Sequence, residues 1–161
     1  MKNILEMCSH WPVLHFAKGE TLIEEGARTD RLFVIRTGAF DVVRGGIRIV
    51  QINGAGAFLG EMSAVLESAS TANVVAAEDS TVHVIDGASA AVKAHPELTH
   101  AVARLLAQRL SAITAYLVDI KRQYADSNTH LALMDQVLAN VIAMNPNASK
   151  LGSERDDVPD Y

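Results

Sequence analysis

Glycine or a polar turn interrupts every apolar run between Val13 and Asp86, which restricts this stretch to short strands joined by tight corners. Gly45-Gly46 stands between two such runs and reads as a hairpin turn needing positive φ. Gly19, Gly26, Gly38, Gly54 and Gly56 mark further corners. The spacing predicts strands at Val13–Phe16, Thr21–Glu24, Arg31–Arg36, Ala39–Arg44, Ile47–Asn53, Ser70–Ala77 and Thr81–Asp86. One or two helical turns are expected at Glu61–Leu66. So many short strands make a β-sandwich or barrel.

After Asp86 the period changes. Gly87–Ala94 is short and alanine-rich, and His95-Pro96-Glu97 restarts a helix with proline in its first turn and an acid close behind. Apolar residues then recur at alternating steps of three and four: Ala103, Leu106, Leu110, Ile113, Leu117, Ile120 and Tyr124, continuing through Ser127 to Val141. A 3.5-residue period marks a helix-packing seam, read here as a homodimer seam through Leu106, Leu110, Ile113, Leu117 and Ile120. The other reading is one amphipathic helix lying on its own β-domain. Asp126-Ser127-Asn128-Thr129 has low helix propensity and is expected to break the helix. Residues 2–9 predict a short helix ended by Trp11-Pro12, and residues 145–161 a flexible polar tail.

Charge narrows the function classes. The net charge is −5, which does not favour a nucleic-acid surface, because phosphate backbones reward clustered Lys and Arg. Cys8 is the only cysteine, so no internal disulfide forms. No signal-peptide pattern opens the chain, and no run approaches the ~20 apolar residues of a membrane span. A cytoplasmic protein is the expectation. The six histidines, His10, His15, His83, His95, His100 and His130, lack the His-x-His spacing of a metal-binding β-barrel, so no metal site is predicted. Glu61 has no partner suited to acid–base work, and no enzyme activity is expected.

Phe58-Leu59-Gly60-Glu61-Met62-Ser63 is the one segment built for a ligand. Gly60 allows close backbone approach, a helical turn from Glu61 presents free N–H groups, and Glu61 supplies acceptor oxygens suited to ribose hydroxyls. With Ser70-Thr71-Ala72 beyond it, this segment resembles the phosphate-binding cassette of the cyclic nucleotide-binding domain family. The earlier stretch, from Gly19 through Gly26 and Asp30–Ile35 to Gly38, resembles the first half of the same family, so the likeness runs from about Gly19 to Asp86.

The resemblance implies an α+β fold: a double-stranded β-helix (jelly roll) with flanking α-helices and a long C-terminal helix. It places the domain at 1–122, with the roll at about 13–86 and helices at about 87–122, a helical extension at 123–144 and the tail at 145–161. It implies a ligand site at Phe58, Leu59, Gly60, Glu61, Met62, Ser63, Ser70, Thr71 and Ala72, with cAMP or cGMP as the ligand and no further cofactor. The kind of protein implied is a Crp/Fnr-type sensor domain without a DNA-binding domain: the short acidic segment after Val141 does not supply the roughly 60 residues of a helix-turn-helix module. The output would pass to a protein partner, with neither nucleic acid nor membrane contacted directly.

One position departs from the family pattern. Ser70 stands where the family carries the arginine that pairs with the cyclic phosphate. Losing a charge-assisted contact of that kind costs roughly 1.5–3 kcal/mol. Three outcomes stay open. A cyclic nucleotide binds weakly, or with a cation from elsewhere; Arg36, Arg44 and Arg48 lie on strands, each read first as a solvated surface charge. The pocket takes a less anionic ligand. Or the domain is a ligand-free dimerisation or interaction module.

Overall fold

The computed structural model describes residues 3–124 and Ala139. Among them the order is α1 (Ile4–Met7), β1 (Val13–Phe16), β2 (Thr21–Ile23), β3 (Arg31–Thr37), β4 (Ala39–Arg44), β5 (Ile47–Asn53), β6 (Phe58–Leu59) and α2 (Glu61–Leu66). Then follow β7 (Asn73–Ala76), β8 (Ser80–Asp86), α3 (Ala88–Ala94) and α4 (Pro96–Gln123). The strands form two antiparallel four-stranded sheets, β1-β8-β3-β6 and β2-β7-β4-β5. This is the expected jelly roll with flanking helices and a long helix after them.

Strand β3 shows why two layers form. Leu32, Phe33, Val34 and Ile35 are all buried, an unbroken run that a strand tolerates only when both of its faces are covered. Phe33 and Ile35 join Phe40, Leu59, Val74, Val82 and Val84 between the sheets. Leu32 and Val34 point the other way, into a second core with Phe58, Ala64, Ala88, Val92, Leu98 and Val102, where the helices cover the first sheet. Cys8 lies in that second core, and burial pushes its thiol up to about 11. The neighbouring turn is tied down by His83 on β8, whose Nδ1–H donates to the Trp11 carbonyl at 3.0 Å.

The corner between β3 and β4 depends on Gly38. Its φ is +90°, and a Cβ there would sit 2.1 Å from Ser80 Oγ and 2.8 Å from Ser80 Cα. Ser80 Oγ in turn accepts the Ala39 N–H at 3.1 Å, locking the corner to the start of β8.

The strands follow the sequence expectation, with two informative differences. The expected strand Ser70–Ala77 is pared to Asn73–Ala76, because the Ser70 hydroxyl donates to the Ala72 carbonyl at 2.7 Å and bends the chain. The two-residue β6 was not expected; it is too short to show a period, and exists through its pairing of Leu59 with Phe33 and Phe58 with Val34.

The chain divides into two compact units, Met1–Leu106 and Ala107–Tyr161, so the division falls within α4 and before residue 122. In the first unit Leu98 and Val102 are core residues, and Leu105 and Leu106 pack at the core's edge. In the second unit Leu110 and Ile113 are exposed, while Leu117 and Ile120 are partly so. The proposed break at Asp126–Thr129, most of the 123–144 extension and the 145–161 tail lie outside the described residues. By length and composition α4 is long and apolar enough to span a membrane, although no contiguous apolar run in it reaches that length. Scattered charges break its runs. Its first apolar residues, Leu98 and Val102, face the domain core.

Helix α3 begins at Gly87, which has no side chain to cap it. Asp30, from the β2–β3 loop, takes that role: its Oδ1 accepts the Ser89 N–H at 2.8 Å and the Ser89 hydroxyl at 2.7 Å. These bonds hold its carboxyl below the ordinary carboxylate range, the backbone bond contributing most. A lowered native pKa stabilises the fold above the unfolded value, about 3.9, and that stabilisation disappears as pH falls through the native value. Asp30→Ala is therefore expected to lower Tm at pH 7, with the gap from wild type closing below pH ~4 in a pH series of thermal melts.

Candidate functional site

The inner face of the second sheet is set by register. Val42 pairs with Val50 on one side and Val74 on the other, and Val74 pairs with Ile23. Directly paired residues share a face, so Ile23, Val74, Val42 and Val50 form one apolar row. At its β2 end the row is buried: Ile23 is 4% and Val74 6% exposed. At its β5 end it opens, with Val42 half-buried and Val50 47% exposed. A flat apolar group can lie against the open end of this row.

Helix α2 starts at the buried end of the row. Gly60 precedes it in the left-handed conformation at φ +83°, and a Cβ there would meet the Arg31 carbonyl at 3.0 Å and Ile23 Cδ1 at 3.2 Å. Only glycine lets the backbone turn from β6 into α2 this close to β3 and Ile23. The N–H groups of Glu61, Met62 and Ser63 are in the first turn of α2, where no partner exists within the helix. They carry the positive end of the helix dipole and suit an anion. Glu61 is 4% exposed, Ser63 half-buried and Met62 47% exposed. Phe58 and Leu59, included in the expected site, are 1% and 2% exposed. They belong to the two cores and position Gly60 from beneath.

Ser70, Thr71 and Ala72 reach the same region from the other direction. Ser70 is held into the sheet by the β2–β3 loop: its carbonyl accepts from Gly26 N–H at 2.8 Å and its N–H donates to Ala27 at 2.9 Å. Its hydroxyl is committed to the Ala72 carbonyl. Thr71 is exposed and Ala72 buried. The sequence reading thus named two segments, one at the start of α2 and one just before β7. It missed the floor, Ile23, Val42, Val50 and Val74, because an inner-face row is an ordinary core pattern until strand register shows that one end is open.

A second concavity, a shallow cleft of about 450 Å³, lies behind α2 between the β2–β3 loop and α3. Its charges are largely spent on one another: Lys93 pairs with Glu67, and Asp30 caps α3. Among the described residues no three His, Cys, Asp or Glu side chains gather as metal ligands.

The family model of the cyclic nucleotide-binding domain matches residues 13–91, from β1 into α3. Among solved structures the chain is similar to the catabolite activator protein of Thermus thermophilus, with TM-score 0.62 and 22% identity, covering 75% of this chain and 60% of that one. It is also similar to the N-terminal domain of a transcriptional regulator from Streptomyces coelicolor A3(2), with TM-score 0.51 and 23% identity over 69% of this chain and 81% of that one. A third likeness is to a protein of a cyclic-GMP-dependent signalling pathway that regulates bacterial phytopathogenesis, with TM-score 0.56 and 22% identity over 70% and 95%. At these identities the structural likeness speaks for the fold. No curated protein sequence matches the chain.

Gly60 gives this geometry a direct check. Gly60→Ala forces a side chain into the left-handed region against a backbone carbonyl, and is expected to cost more than about 1 kcal/mol. Thermal melts should show a lower Tm with the far-UV circular dichroism of the fold retained; an unchanged Tm would mean the β6–α2 turn is looser than the structure has it.

Proposed function

Residues 13–91 belong to the cyclic nucleotide-binding domain family, and from that premise we propose that this chain is a regulatory sensor module that binds cAMP or cGMP and signals to a protein partner. The observation that carries the reading is the first turn of α2, with its Gly60 entry, standing at the end of an apolar row that opens toward β5. The cyclic phosphate would take the N–H groups of Glu61, Met62 and Ser63, with Thr71 beside it. Glu61 would accept from the ribose, and the base would lie against Val42 and Val50. The family is as a rule regulatory and not catalytic, and the proposed role involves no chemical step on the ligand. A cytoplasmic location and no direct contact with nucleic acid or membrane are part of the proposal.

Signal transmission would run through α2 itself. Its first turn faces the ligand, while Ala64, three residues on, lies in the core shared with Ala88 and Val92 of α3 and Leu98 and Val102 of α4. A ligand that draws the first turn toward its phosphate changes how Ala64 seats among these side chains. The equilibrium moves only if the ligand prefers one seating over the other. The seam residues Leu106, Leu110, Ile113, Leu117 and Ile120 would then carry the change into a homodimer.

One observation favours the competing reading, a ligand-free interaction module: the Ser70 hydroxyl is already bonded within its own turn and brings no charge. Calorimetry with cAMP and cGMP separates the two. The sensor reading expects heat of binding and a raised Tm, and Ser70→Arg should tighten binding at least tenfold by restoring a charge-assisted contact. No heat and no change in Tm at millimolar nucleotide would leave the interaction module. For the seam, Leu110→Glu combined with Leu117→Glu should give a monomer by light scattering, whereas an unchanged oligomer would place the interface elsewhere.

A further inference from the structure

The phosphate of a bound cyclic nucleotide needs a cation, and Ser70 does not provide one. We infer that Arg44, at the end of β4, supplies it from the neighbouring strand. The inference rests on the nucleotide-binding reading above and assigns the charge partner that reading lacks.

Strand alternation sets the side of the sheet on which Arg44 stands. Asp41 and its neighbours are on the outer face: Gln51 Nε2–H donates to Asp41 Oδ1 at 3.1 Å, and Arg48 Nη1 lies 3.7 Å from the same oxygen. Phe40 is fully buried between the sheets, and Val42 belongs to the apolar row. Arg44 follows Phe40 and Val42 at period two, so it stands on the inner side, paired with Ile47. The β5 bulge confirms the assignment: Val42 pairs with Val50 and Val43 with Arg48, so the extra residue, Ile49, is on β5 and leaves the alternation of β4 intact.

Register then puts Arg44 beside the cassette's second border. Val43 pairs with Asn73. The paired register ends there and the chain bends just before β7, so Arg44 lies one residue past the last pair, at the end of β7 from which the Ser70–Ala72 turn departs. Ala72 is buried, and Ser70 is two residues further on. Arg44 therefore stands at the same end of the second sheet as the Ser70–Ala72 turn.

Five other cations of this unit are differently placed. Arg31 pairs with Asp86 at 2.8 Å, Arg48 with Asp41, and Lys93 with Glu67. Arg36 is on β3 in the other sheet, and Arg28 lines the cleft behind α2. Among the described residues no carboxylate comes within 4.0 Å of the Arg44 guanidinium. Glu25 reaches the hairpin, where its Oε2 accepts the Gly45 N–H at 3.2 Å, without pairing with Arg44. Arg44 is also exposed, so it is not needed by the core, and its removal should leave the fold intact.

Calorimetry of the full chain tests this with cAMP, cGMP and the phosphate-free nucleoside adenosine. Arg44→Gln is expected to weaken cyclic nucleotide binding ten- to a hundredfold while leaving adenosine binding and Tm unchanged. Arg48→Gln, on the outer face, should change affinity less than threefold. In the Ser70→Arg background Arg44→Gln should cost much less, since two cations then serve one phosphate. Wild type binding with Arg44→Gln equally tight overturns the Arg44 assignment and leaves the nucleotide reading standing. Equal losses in Arg44→Gln and Arg48→Gln would reduce the effect to net charge and also overturn it. A wild-type chain that binds no cyclic nucleotide overturns both.

Discussion

Burial of β3 on both faces is the constraint on which the rest of the domain hangs. Phe33 and Ile35 close the sandwich, while Leu32 and Val34 hold the helices against its back. Four such side chains contribute roughly 6–12 kcal/mol of apolar burial before entropy is counted, the size of a whole domain's net stability. No smaller contact in the structure competes with this. The helices α2, α3 and the start of α4 have one apolar surface to meet, and the edge β6 has one strand to pair with.

That constraint delivers the ligand-facing backbone. Pairing of Leu59 with Phe33 ends β6 just below the Arg31 carbonyl, and Gly60 turns there because no side chain fits. The first turn of α2 is thereby aimed across Ile23 at the apolar row of the second sheet. The same short helix puts Ala64 into the helix-side core. Gly60 at the helix entry and the core residue Ala64 are four positions apart, so a shift at the start of α2 is felt in the core without a long relay.

Charge is sparse around the start of α2 and the turn before β7. The residue that borders the cassette, Ser70, is neutral and satisfied within its own turn. The inner-side cation at the mouth belongs to β4, whose alternation separates Arg44 from the outward, ion-paired Arg48. Arg44 and Arg48, both on strands of one hairpin, take opposite faces because the bulge residue Ile49, between Val50 and Arg48, shifts the register so that Arg48 pairs with Val43 and not with Arg44.

Much of this was legible beforehand, and the limits have physical causes. Glycine corners and short apolar runs located the strands, since turn geometry is local. Gly60-Glu61 marked the start of α2, since a helix entry with positive φ needs glycine. The apolar period of α4 was visible because a helix brings residues three and four apart onto one face. What a linear pattern does not carry is register. The open floor of Val42 and Val50, the pairing that makes two-residue β6 a strand, the capping of α3 by Asp30 across 59 positions and the face taken by Arg44 all depend on which residue lies opposite which. Local chemistry along the chain decided the elements and the family; only strand pairing between distant segments, where one residue of slip would turn every side chain to the other face, decided what those elements bring together.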